Sequence, residues 1–111
     1  GIINKDWFNQ AKTSLVIINT SRGPVINEAD LIEALRSGQI AGAALDVVEE
    51  EPIQPDNPLL EMDNVILTPH AAWYSEESEE EMRTKCARNV LQALKGETPT
   101  YLVNRDVLEA K

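Results

Sequence analysis

The hydrophobic positions of this chain form two kinds of run that alternate along its length. Ser14-Leu15-Val16-Ile17-Ile18-Asn19, Ile40-Ala41-Gly42-Ala43-Ala44-Leu45-Asp46-Val47 and Val65-Ile66-Leu67 are short and continuous, built of β-branched or small residues. Runs without polar alternation read as parallel strands covered on both faces. Elsewhere apolar residues recur at helical spacing. Asn4 caps a short helix from Lys5 to about Lys12, with Trp7, Phe8 and Ala11 on one face. Asn27 caps a second helix, Glu28 to Ser37. There Asp30 takes the capping-box position, Ile26 staples onto Leu31, and Leu31, Ile32, Ala34 and Leu35 form the buried stripe. Gly38 supplies its left-handed stop. Ser75 caps a long helix to about Lys95, whose Met82, Cys86, Val90, Ala93 and Leu94 share a face; that spacing makes Cys86 a core residue. Val48 to Met62 carries Pro52, Pro55, Pro58 and a run of acids, and reads as a loop with one helical turn near Leu59 and Leu60. Gly96 ends the long helix, and the tail from Glu97 closes in a helical scrap from Arg105.

Strands alternating with helices imply an α/β fold with right-handed crossovers, here three parallel strands with flanking helices. A parallel sheet points every carboxyl end the same way. Arg22 lies just past the first strand, Asp46 near the end of the second and His70 past the third, so all three face one crevice.

The 111 residues allow at most one domain, and 42% hydrophobic with 26% charged residues suits a globular protein. Ten basic against nineteen acidic residues give a net charge of −9, which disfavours nucleic acid and anionic membrane as partners. No run approaches the ~20 apolar residues of a membrane span. The single cysteine excludes an internal disulfide and suits a reducing cytoplasm. One His and one Cys offer no metal-ligand cluster of known spacing. The opening Gly1-Ile2-Ile3-Asn4, without an initiator Met, suggests a piece of something longer.

The crevice residues have candidate chemistry. The Arg22 fork matches a carboxylate or an adjacent carbonyl, although a surface arginine capping strand ends fits the residue type as well. His70, the only histidine, can act as acid or base near neutral pH. One of Glu49, Glu50 and Glu51 paired with it would fix its tautomer. Asp46 is either a loop cap or an acceptor for a ligand amide. Together an Arg, a carboxylate and a His suit reversible reduction of a 2-oxo acid: Arg22 holds the substrate carboxylate and His70 delivers the proton.

Ile18-Asn19-Thr20-Ser21-Arg22-Gly23, Gly42-Ala43-Ala44-Leu45-Asp46-Val47 with Glu51-Pro52, and Asn64-Val65-Ile66-Leu67-Thr68-Pro69-His70 resemble the D-isomer-specific 2-hydroxyacid dehydrogenases. The Thr68-to-Ser75 stretch looks most like the branch containing the C-terminal-binding protein corepressors. The resemblance implies the second half of a Rossmann-type doubly wound sheet, with NAD as cofactor and Arg22, Glu51 and His70 as catalytic residues. Pro52 selects Glu51 among the three glutamates. By the same resemblance Asp46 would bind the nicotinamide carboxamide, helped by Thr20, Ser21, Arg22 and the backbone from His70 through Ala71 and Ala72 to Trp73. Trp73 is equally a wall of the substrate pocket or an interior aromatic. Gly-x-Gly-x-x-Gly and its downstream acid are absent from the chain. Residues 1–96 would then be a partial NAD-binding domain and 97–111 a segment returning toward a missing substrate domain. Such a piece would be inactive alone, cytoplasmic, completed by the N-terminal half of the same enzyme and homodimeric when whole. The alternative is a dinucleotide-sensing, corepressor-like binding module.

Overall fold

A computed structural model describes residues 1–108, so the segment expected over 97–111 lies within the description as far as Leu108. The chain divides into two compact units, Gly1–Ala72 and Trp73 onward.

In the first unit helix α1 spans Lys5–Phe8, strand β1 Val16–Asn19, helix α2 Glu28–Arg36, strand β2 Gly42–Leu45 and strand β3 Val65–Leu67. Short 3-10 turns at Gly23–Val25 and Pro58–Glu61 lie between them. The sheet order is β1-β2-β3, all parallel, with Asn19 level with Leu45 and Leu45 level with Leu67. The three strands therefore end together.

The caps form as the side chains dictate. The Asn4 carboxamide accepts the N–H groups of Asp6 and Trp7, and that of Asn27 accepts the N–H of Asp30 at 3.0 Å. Gly38 adopts φ 70° just beyond α2, a conformation that costs a residue with a Cβ. Helix α1 stops at Phe8 rather than near Lys12. The N–H groups of Gln10 and Ala11 bond to Trp7 and Phe8, three residues back, and this tightened turn ends the helix.

One face of the sheet carries the core. Ala43 and Leu45 pack with Phe8, Ile26, Leu31, Ala34, Leu35, Ile40 and Leu59, all buried, and Ile17, Val65 and Leu67 join from the flanking strands. The other face departs from the expectation of cover on both sides: Val16, Ile18 and Ile66 are 54%, 71% and 66% exposed. A strand without polar alternation is apolar on both faces, but α1 and α2 supply partners for only one.

In the second unit helix α3 spans Glu76–Leu94, with a capping box between Ser75 and Ser78 and Gly96 at φ 74° beyond its end. Asn89 and Gln92 accept the N–H groups of Tyr101 and Thr100, and Lys85 lies over the Tyr101 ring. A 3-10 turn covers Arg105–Leu108. No described residue of α3 is buried; Met82, Val90 and Leu94 are exposed, and so is Cys86, contrary to its reading as core. Helical spacing identifies an apolar face without saying what lies against it.

Gly23 follows β1 where the backbone of Val48 passes closely. A Cβ there would sit 1.8 Å from the Val48 carbonyl oxygen, so the main chains must separate to admit it. Gly23→Ala is expected to destabilise the fold by more than about 2 kcal/mol, measured by urea unfolding; an unchanged midpoint would contradict this packing.

Candidate active site

Level strand ends bring three loops to one edge of the sheet. After β1, the buried Asn19 folds the chain into a tight turn: its Oδ1 accepts the Ser21 N–H at 3.1 Å and its Nδ2 donates to the Arg22 carbonyl at 3.0 Å. Thr20, Ser21 and Arg22 are exposed on this turn, and Arg22 Nη1 donates to the Ser21 carbonyl at 2.7 Å.

After β2, Asp46 is 6% exposed and its N–H donates to Asn19. Its carboxylate gathers the loop that follows β3. Oδ1 accepts the Thr68 hydroxyl at 2.5 Å and the Ala71 N–H at 2.9 Å, while Oδ2 accepts the Ala72 N–H at 2.9 Å. The Thr68 hydroxyl is the largest influence holding the Asp46 carboxyl below the usual aspartate range, followed by the Ala72 amide; burial opposes them, and Ala71 and His70 add smaller pulls downward. A buried carboxylate remains charged when donors replace its water in this way.

Within that loop His70 has φ 54°, in the left-handed region, at a cost of about 1–3 kcal/mol for a residue with a side chain. Asp46 binds Thr68 on one side of His70 and Ala71 and Ala72 on the other, which offsets that cost and leaves the chain little freedom to relax. Glu51 approaches from the loop after β2. Its Oε2 lies 2.6 Å from His70 Nδ1, and its Oε1 accepts the Val48 N–H at 3.2 Å. The bond to His70 is the chief cause of a lowered Glu51 pKa; burial works against it, and the Val48 amide and the charges of His70 and Arg22 assist. An ionised carboxylate only accepts, so Nδ1 must carry the proton in this pair, leaving Nε2 on the far side of the ring.

A cavity of about 440 Å³ adjoins the pair, lined by Asp46, Val48, Glu51, Pro52, Leu67 and His70 among others. Its size is that of an ordinary small-molecule site. Arg22 stands outside this lining, although its charge acts on Glu51.

The geometry thus brings Glu51, His70 and Asp46 together and sets Arg22 beside them. Asp46 serves as a loop cap, one of the two roles open to it. Ala71 and Ala72 direct their N–H groups to Asp46. Trp73 begins the second unit, 52% exposed and edge-on to Tyr74 with ring centres 5.6 Å apart. Sequence reasoning passed over the Thr68 hydroxyl and the Asn19 carboxamide. A polar residue ending an apolar strand was the available signal for both.

Both carboxylates favour the folded state in their charged form. That contribution is present above the ordinary carboxylate range and is lost as pH falls through the lower folded values. The ¹³C carboxyl signals of Asp46 and Glu51 are expected to titrate below the ordinary range, with the native fold weakening over the same acid interval. Ordinary midpoints would contradict these contacts.

The profile of the D-isomer specific 2-hydroxyacid dehydrogenase NAD binding domain matches residues 1–72. The chain is 46% identical over 110 residues to a glyoxylate reductase of Thermofilum pendens, covering 99% of this chain and 32% of that protein. It is 40% identical over 113 residues to C-terminal-binding protein 1 of Caenorhabditis elegans, covering 97% of this chain and 16% of the relative. Among solved structures, a glyoxylate reductase from Paecilomyes thermophila superposes with a TM-score of 0.80 at 37% identity, over 87% of this chain and 30% of that one. The chain spans about a third or less of the length of these relatives. The parallel sheet, the residues at its carboxyl edge and these matches together place the chain in the D-isomer specific 2-hydroxyacid dehydrogenase family, in its NAD-binding domain.

Proposed function

We propose that this chain forms part of a longer NAD-dependent oxidoreductase that interconverts a 2-oxo acid and its 2-hydroxy acid. The observation carrying this reading is the 2.6 Å pair between Glu51 and His70 at the edge where the parallel strands end. Residues 1–96 would belong to the NAD-binding domain and 97–111 would lead back toward a substrate domain, in a cytoplasmic, homodimeric enzyme. The exposed apolar face around Val16, Ile18 and Ile66 suits cover by further chain. The glyoxylate reductase names of two of these relatives suggest glyoxylate as the 2-oxo acid.

The donor set fits a nicotinamide. Asp46 lines the cavity as a charged acceptor, and its three bonds leave one of about four lone-pair positions for a carboxamide N–H. Thr20, Ser21, Arg22 and the backbone carbonyls from His70 to Trp73 would add polar contacts. When bound, the cofactor supplies the hydride for reduction and accepts it in the reverse direction.

The chain's own residues handle charge and protons. The Arg22 guanidinium holds the substrate carboxylate and polarises the neighbouring carbonyl, releasing its contact with the Ser21 carbonyl to do so. His70 donates a proton from Nε2 to the developing alkoxide, while Nδ1–H stays on Glu51. Oxidation runs the same path backward, with Nε2 as base. Glu51 holds the ring's orientation and balances the charge of the imidazolium.

In the full-length natural protein, His70→Ala is expected to lower turnover of a 2-oxo acid at least ~100-fold. Arg22→Ala should raise KM and lower kcat, because the residue both holds the carboxylate and polarises the carbonyl, with both variants followed by NADH oxidation. Wild-type turnover in the His70 variant would refute the assignment. The identity with C-terminal-binding protein 1 favours a second reading, a dinucleotide-sensing binding module. Tight NADH binding without turnover of any 2-oxo acid would establish that one instead.

A further inference from the structure

The three adjacent glutamates of the loop after β2 have separate partners. Glu51 meets His70, Glu50 accepts from the Gln54 side chain at 2.6 Å, and Glu49 turns to the start of α2. There its Oε1 accepts the N–H of Glu28, the first residue of the helix, at 3.1 Å. Such an N–H has no partner within its own helix. Glu28 returns the contact: its Oε2 accepts the N–H of Glu49 at 3.0 Å. Its other oxygen accepts from Asn57 Nδ2 at 2.7 Å, while Asn57 Oδ1 takes the N–H of the buried Leu59 at 3.0 Å. One carboxylate therefore ties both ends of the 49–57 loop to the end of α2, where the helix dipole favours its charge. Gly23, with room for no side chain against Val48, seats the same loop from the β1 side.

We infer that Glu28 is a positioning residue for Glu51, acting through its bracket with Glu49 and Asn57 to hold the carboxylate on His70. This rests on the acid–base reading of that pair. Glu51 sits two residues beyond one tie, and the loop has no strand or helix of its own between Val48 and Asn57. The two oxygens of Glu28 supply anchorage that regular structure supplies elsewhere. An amide in its place accepts at one oxygen only and confronts a donor with a donor at the other.

The test is a double-mutant cycle in the full-length natural protein. Glu28→Gln is expected to lower kcat on the order of 10-fold with KM within about twofold, as small displacements of catalytic groups do. In a Glu51→Gln background the same change should cost less than about twofold, because the residue acts through Glu51. Amide hydrogen exchange at Glu49 and Val48 should accelerate in Glu28→Gln without any cofactor present. Equal losses in the two backgrounds, or no loss, or unaltered exchange would overturn the inference. If Glu28→Gln does not fold, Asn57→Asp keeps the oxygen that caps Leu59 while replacing the donor to Glu28, and carries the same cycle. A Glu51→Gln variant with full turnover would instead refute the acid–base reading on which the inference rests.

Discussion

A carboxylate withdrawn from water needs donors, and Asp46 draws its donors from the segment that carries the histidine. Thr68, Ala71 and Ala72 converge on it, so the end of β2 and the loop after β3 become one rigid corner. The left-handed backbone of His70 is tolerable because both flanks are held. Release that carboxylate and the imidazole loses its direction, and the distance to Glu51 loses its meaning.

The sheet beneath supplies the other constraint. Parallel pairing with Asn19, Leu45 and Leu67 in line delivers three loops to one edge, close enough for Asp46 and Glu51 to bond the loop that carries His70. Side chains then fix each loop. Asn19 bends the first, Glu28 and Asn57 bracket the second, and Asp46 gathers the third. Polar side chains that touch no substrate thus do most of the work of aiming those that would.

Much of this was legible in the residues. Runs of three to eight residues, largely apolar, marked strands that the structure contains, although β1 and β2 are shorter than the runs that encode them. Asn27, Gly38 and Ser75 marked helix ends by capping chemistry, which is local and so readable. Convergence of Asp46 and His70 followed from topology alone, whereas choosing Glu51 over Glu49 and Glu50 needed a family pattern. That choice depends on contacts twenty or more residues away, with Glu28 capturing Glu49. The misreading of Cys86 and of the open face at Val16 and Ile18 has a common cause. Periodicity reports which residues share a face, and burial depends on what the rest of the molecule brings against it.

The central claim is that an ionised Glu51 fixes which nitrogen of His70 carries its proton. Long-range ¹H–¹⁵N correlation spectra of the neutral imidazole in the full-length natural protein test this directly. The proton is expected on Nδ1, with Nε2 showing the shift of an unprotonated ring nitrogen, and Glu51→Gln should abolish that preference. A neutral His70 protonated on Nε2 would contradict the account.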